Sequence, residues 1–134
     1  MQRTPKSPDE WTDRRHRDGW QAEVTTGEWL VAAGWRIEAH RFRLGRNDLD
    51  LVARRGSLVA FVEVKSRRTD RCGAGEEAVV GRKRRAIERV AWWWILKHGR
   101  VGDQYRFDVV VLTGDGSAGQ RLRHLEDAWR PGWR

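Results

Sequence analysis

With one cysteine, Cys72, among its 134 residues, the chain cannot close an intramolecular disulfide and has too few thiols for a structural zinc site. A reducing cytoplasm is its expected compartment. No window approaches the roughly 20 consecutive apolar residues that span a bilayer, and the opening MQRTPKSPDEWTDRRHRDGW lacks the apolar core of an export signal. Neither export nor membrane insertion is expected. Acid is in deficit, with 19 Asp and Glu against 27 Lys and Arg, leaving a formal charge of +8 and a sequence pI near 10.9. Lysine is scarce as well: only Lys6, Lys65, Lys83 and Lys97 interrupt 23 arginines.

What the chain does have is basic charge concentrated in one place. Between residues 79 and 100, seven cations (Arg82, Lys83, Arg84, Arg85, Arg89, Lys97 and Arg100) are set against one acid, Glu88. Such a patch favours an anionic polymer, because Lys and Arg that contact phosphates release condensed counterions; plain solubility is the blander reading. A nucleic acid, DNA before RNA if the chain is a nuclease, is therefore the expected partner. The length suits one domain with a continuous core. Residues 1–18 mix Pro, Ser and both signs of charge without periodicity and read as a flexible tail, which leaves 19–134 as a single domain.

From about Trp20 to Ala33, the apolar residues Ala22, Trp29, Leu30 and Ala33 recur at helical spacing before Gly34. Glu23 rides the edge of that inward face, either as a structural or surface charge or as an acid aimed at a site. WRIEAHRFRL alternates as a first strand with Ile37, Ala39 and Phe42 inward, and GRN makes the turn. DLDLVAR then reads as a second strand, with Asp48 and Asp50 on one face and Leu49 and Leu51 on the other. RRGS forms a hairpin loop, and the near-continuous apolar run of LVAFVEVKSR suits a central third strand covered on both faces. A helix from about Val80 to His98 carries Ile87, Val90, Ala91 and Trp94 on one stripe, which reaches Lys83 one turn earlier. YRFDVVVL is a strong strand signal, and QRLRHLEDAW reads as an edge strand or extension. The order helix, three strands, helix, strand predicts an α/β fold: an αβββαβ core with a mixed sheet flanked by helices, its first three strands an antiparallel meander.

The chemistry lies in the second and third strands. Charged groups have a large desolvation cost, so an acid and an amine in an otherwise apolar strand point to a use. Residues two apart in a strand share a face, which puts Glu63 and Lys65 together; a hairpin folding Asp50 back beside Glu63 adds a second carboxylate. One or two carboxylates, a backbone carbonyl such as that of Val64, waters and substrate oxygens are what Mg²⁺ uses when it cuts phosphodiesters, so Asp50 and Glu63 are the candidate metal ligands. Lys65 would orient the attacking water or steady the charged transition state. Glu23 would reach a metal-bound water from the helix side. Lys83, Arg82, Arg84 and Arg85 on the basic helix, with Arg67 and Arg68 just past the third strand, would contact phosphates. In a chain that writes Arg by default, lysines at two inward positions suggest a need for a compact point donor. An exposed ion pair is the bland reading of Glu63 and Lys65, and it fits poorly with the apolar residues around them.

These residues resemble the PD-(D/E)XK nuclease motif, and the chain as a whole looks like a member of the YraN-like family of small bacterial proteins with predicted endonuclease folds, related to Holliday junction resolvases. The resemblance runs from about Gly19 to Leu112, through AEVTTGEWLVAAGW, NDLDLV, FVEVKSR, VVGRKRR and RFDVVVL in that order. It implies a restriction-endonuclease-like fold with Asp50, Glu63 and Lys65 as the catalytic triple and Glu23 as the helix acid. The implied activity is hydrolysis of branched or damaged DNA with Mg²⁺ or Mn²⁺. Asn47 and Asp48 stand where such proteins usually have Gly-Glu, so the charge before the strand acid is kept.

Two other readings compete. A nucleic-acid-binding protein that kept the nuclease fold without turnover would show the same electrostatics. An interaction module would use the Trp-rich helix to bury a partner. Trp92, Trp93 and Trp94 cannot all face the core of one helix, so Trp94 is expected inside and a neighbour outside, where it would stack on a base or cover a homodimer surface. A homodimer would suit paired cuts on a four-way junction. His16, His40, His98 and His124 show no metal-ligand spacing and read as solvated or helix-end residues. Cys72, in a Gly-containing loop, has no paired base and is not expected to act as a nucleophile.

Overall fold

A computed structural model of the chain describes residues 14–67, 81–114 and 119–133. Helix α1 (Arg14–Ala32) precedes strands β1 (Arg36–Leu44), β2 (Asn47–Arg55) and β3 (Leu58–Arg67), then helix α2 (Gly81–His98) and strands β4 (Gln104–Thr113) and β5 (Arg121–Trp129). Of the stretch read as a tail, residues 14–18 are helical backbone and 1–13 lie outside the described residues.

The five strands lie in the order β1-β2-β3-β4-β5. β1, β2 and β3 form the antiparallel meander, β4 returns parallel to β3 after α2, and β5 closes the sheet antiparallel to β4. A parallel neighbour needs a crossover, which α2 supplies. The two hairpins of the meander are pinned by Gly45 and Gly56, each the first of two turn residues with φ near 62° and 63°, where a side chain would be strained. These short turns hold β2 against both neighbours and set where Asp50 falls.

The sheet separates two apolar cores. On one face Ile87, Val90, Ala91 and Trp94 of α2 pack on Val59, Phe61, Phe107 and Val109. On the other, Leu30 of α1 and Trp35 pack on Leu51, Ala53, Ala60, Val62 and Val110. Val59 to Val62 of β3 are buried without a gap and alternate between the two cores, as a central strand covered on both faces requires, and each large side chain among them contributes about 1.5–3 kcal/mol. The α2 stripe is the one its spacing predicts, with Trp94 buried and Trp92 and Trp93 exposed. Helix α1 differs from its predicted face: Ala22, Glu23, Thr26, Gly27 and Leu30 face the sheet, whereas Trp29 and Ala33 are exposed. The reason is that a polar pair, Glu23 and Thr26, takes inward positions that a purely apolar reading passes over.

Candidate active site

The site starts from an interruption in the sheet. In the β1 and β2 ladder, His40 pairs with Leu51 and Phe42 with Leu49, so Arg41 and Asp50 form the missing step between them, and Arg41 has φ 57°. The ladder of β2 with β3 also begins only at Leu51 and Val62. This overturns the predicted alternation, because Leu49 enters the α2-side core and Leu51 the α1-side core instead of sharing a face. At the step between them Asp50 turns its carboxylate toward β3, where Oδ2 accepts the Val64 N–H at 2.8 Å. A strand partner is replaced there by a side chain.

That contact brings Asp50 beside Glu63, the residue before Val64. Glu63 is buried, while Asp50 and Lys65 keep partial solvent access. Burial pushes the Asp50 carboxyl well above its usual range, and the charges of Glu63 and Glu23 push it the same way. Burial also raises Glu63, against the opposing pull of Lys83 and Lys65. The two carboxyls are neighbours that act on one another, each disfavouring a second negative charge at the same place.

Lys83 extends from the first turn of α2, as the stripe reading anticipates, and its Nζ lies 3.4 Å from Glu63 Oε2. Its half-exposed side chain is at a distance suited to a flexible ion pair. Lys65 is drawn below the usual lysine range, first by burial and then by the charge of Lys83. Asp50, Glu63, Lys65 and Lys83 thus interact at one partly open place.

Glu23 stands on the other side of Asp50. Its Oε1 receives Arg41 Nε at 2.8 Å and lies 2.7 Å from His40 Nε2, while Oε2 receives a second Arg41 nitrogen at 3.2 Å. Burial alone would raise the Glu23 carboxyl, but the bonds from His40 and Arg41 outweigh it and hold the group ionised. Trp20 caps this cluster, with its ring 4.3 Å from that of His40 and the Arg41 guanidinium 5.1 Å from its centroid. His40 is therefore not the solvated residue its spacing suggests. Arg41 escaped the sequence reading because a positive φ leaves no mark in an alternating strand pattern.

The basic residues divide. Arg82 and Arg85 are exposed on the first turns of α2, and Arg84 lies 5.4 Å over the Trp129 ring. Arg67 ends β3 with its Nε buried and without a hydrogen-bond partner among the described residues. Arg68 and Cys72 lie outside the described residues. A second buried acid, Asp108, was missed although it interrupts an apolar strand as Glu63 does. Arg106 donates to it twice, at 2.9 and 3.0 Å, the Asp127 N–H donates at 3.0 Å, and His124 Nε2 lies 2.7 Å away. His124 is therefore not solvated either. Burial would raise Asp108, but its bonds to His124 and Arg106 hold it low, so this acid is fully satisfied within the protein.

Asp50 and Glu63 are not satisfied in that way. Two adjacent carboxyls, both held above their usual range, are a donor set whose ionised form needs more positive charge than the neighbouring lysines supply. Hard oxygen donors of this kind fit Mg²⁺ or Mn²⁺, which need only one or two carboxylates besides water and substrate. Among the described residues no group of three or more His, Cys, Asp and Glu side chains forms a closed cage.

Comparison with known proteins covers most of the chain. A family model described as "Uncharacterised protein family UPF0102" matches residues 22–112, which include every residue from Glu23 to Lys83 discussed above. A UPF0102 protein of Anaeromyxobacter dehalogenans is 38% identical over 125 residues, covering 90% of this chain and 92% of its own. One from Erythrobacter litoralis is 40% identical over 121 residues, covering 89% and 95%. A third, from Pelotomaculum thermopropionicum, is 34% identical over 120 residues, covering 87% and 98%.

Proposed function

The chain belongs to the uncharacterised protein family UPF0102, the YraN family, and from that premise we propose that it is a metal-dependent DNA endonuclease. One observation carries the reading: the Asp50 and Glu63 carboxyls meet at a break in the sheet with Lys65 beside them and the basic start of α2 adjoining. A divalent ion held by Asp50 and Glu63 would supply Lewis-acid stabilisation of the phosphate charge and a more acidic water.

The chain's own residues do the rest. Lys65 orients the water that attacks phosphorus and faces the negative charge that accumulates as the phosphodiester P–O bond breaks. Lys83 holds Glu63 toward the site and, with Arg82 and Arg85, receives the DNA backbone. His40 and Arg41 keep Glu23 ionised, so its field acts on Asp50. Branched or damaged DNA is the substrate we favour, because its distorted backbone can approach carboxyls that are only partly open to solvent.

Incubation of the full chain with plasmid and branched duplexes, with and without Mg²⁺ or Mn²⁺, tests this. Cleavage that needs the metal and disappears in Asp50→Ala is expected. Salt-sensitive DNA binding without cleavage of any substrate would instead assign the chain to the binding-only reading.

A further inference from the structure

Helix α2 carries a second feature, on the flank facing β5. Arg85, Glu88, Arg89, Trp92 and Trp93, with Trp133 from the C-terminal segment, line an open cavity of about 320 Å³. Trp92, Trp93 and Trp133 are 46%, 44% and 39% exposed, an unusual cost for three indoles unless their faces are used. The walls are built. Trp92 and Trp133 meet at 5.3 Å between ring centroids, Trp133 sits edge-on to Phe107 at 6.1 Å, and Phe107 stacks on Trp129 at 4.9 Å. The one acid, Glu88, is engaged: its Oε2 accepts the Trp129 indole N–H at 2.9 Å.

We infer that this cavity is a stacking site for an unpaired nucleobase of the DNA bound at the catalytic centre. The inference rests on the nuclease reading for its ligand, and on the cavity's own chemistry for its specificity. Aromatic faces accept any base, and arginines beside them contact its phosphate or stack in turn. Charge points the same way, since Arg85 and Arg89 stand in this wall against a single acid already bonded to Trp129, which leaves a net positive lining suited to a phosphate-bearing occupant. Trp92 follows Lys83 by nine residues, about 14 Å along the helix axis and, at about 100° per residue, on the opposite face of α2, so a strand that touches both must pass around the helix. A strand whose phosphate lies at Glu63 and Lys83 would reach the indoles only where its bases are free to leave the duplex, which gives the site a reason to prefer branched, frayed or single-stranded DNA.

The test uses the full chain and three labelled probes in metal-free buffer: a short oligothymidylate, an abasic oligomer of the same length, and a blunt duplex. Fluorescence anisotropy should show the oligothymidylate bound about tenfold or more tightly than the abasic strand, with quenching of the indoles. Trp93→Ala and Trp92→Ala should each remove most of that difference and leave duplex binding near native, while Trp92→Phe restores part of it. Arg89→Gln, which leaves the aromatic walls intact, should weaken the oligothymidylate without changing the melting temperature. Equal binding of the abasic and base-bearing strands by the native chain would overturn the inference. So would indole substitutions that leave the preference intact, or that act only by dissociating a dimer in sedimentation. Because no cleavage is read, base-dependent binding by a chain that proves unable to cut DNA would refute the nuclease reading and keep this one.

Discussion

The carboxylate of Asp50 accepts the backbone N–H of Val64 at 2.8 Å, one residue past Glu63. A side chain thus takes the place of a strand neighbour where β2 leaves β3, and the two acids are held together by main-chain geometry. Asp50→Asn keeps an acceptor for Val64 but loses the anionic ligand. Calorimetric titration with Mn²⁺ should show binding to the native chain and a loss of about tenfold or more in Asp50→Asn, with cleavage reduced on the order of a hundredfold. Equal Mn²⁺ heats in the two proteins would rule out Asp50 as a ligand.

Glu23 is held by two partners, and its replacement should be felt in stability as well as activity. Glu23→Gln leaves Arg41 and His40 half-paired in a part-buried setting and should cost about 1–3 kcal/mol in urea unfolding. A double-mutant cycle with Arg41→Gln should give a coupling on the order of 1 kcal/mol. Strict additivity would mean that the pairing carries no energy.

Arg82 and Arg85 present charge without deep burial. Each substitution to Gln should weaken duplex binding irrespective of sequence and lower the slope of log affinity against log salt by about 0.9 for every phosphate that is no longer neutralised. An unchanged slope in the double variant would place the DNA elsewhere.

Far from the site, Arg54 ties β2 to the segment before β4. It donates to both Asp103 oxygens at 2.7 and 2.9 Å and to Glu38 at 2.6 Å. The bond from Arg54 holds the Asp103 carboxyl below its ordinary value of 3.8. The native state therefore binds this proton less readily than the unfolded chain. Its stabilising effect is complete above the unfolded value and is lost as pH falls through the lower folded one. Asp103→Asn, which leaves Arg54 paired with Glu38, should destabilise by about 1–3 kcal/mol at neutral pH, and the difference in melting temperature should narrow below about pH 4. A gap of constant width across that range would contradict the pairing.

Much of this architecture is legible in the residues. Apolar periodicity and turn glycines give the strands and helices in order, because burying one face is the dominant favourable term and it leaves a period in the sequence. Glu63, Lys65 and Lys83 stand out for the opposite reason, as charges at positions the period assigns to the interior. Asp50 is visible as a charge, but its direction is not. The predicted alternation sends Leu49 and Leu51 to one face, and the break opposite Arg41 sends them to two.

The sequence alone determined the order of the elements, the basic helix and the identity of the charged residues in apolar runs, since these depend on neighbours a few positions apart. Tertiary structure decided which charges meet. Glu23 joins His40 and Arg41 across 17 and 18 residues, and Asp108 joins His124 across 16. Such pairs form when sheet register and helix packing bring distant backbones together, and a locally irregular φ can redirect a side chain without altering the pattern from which the strand is read.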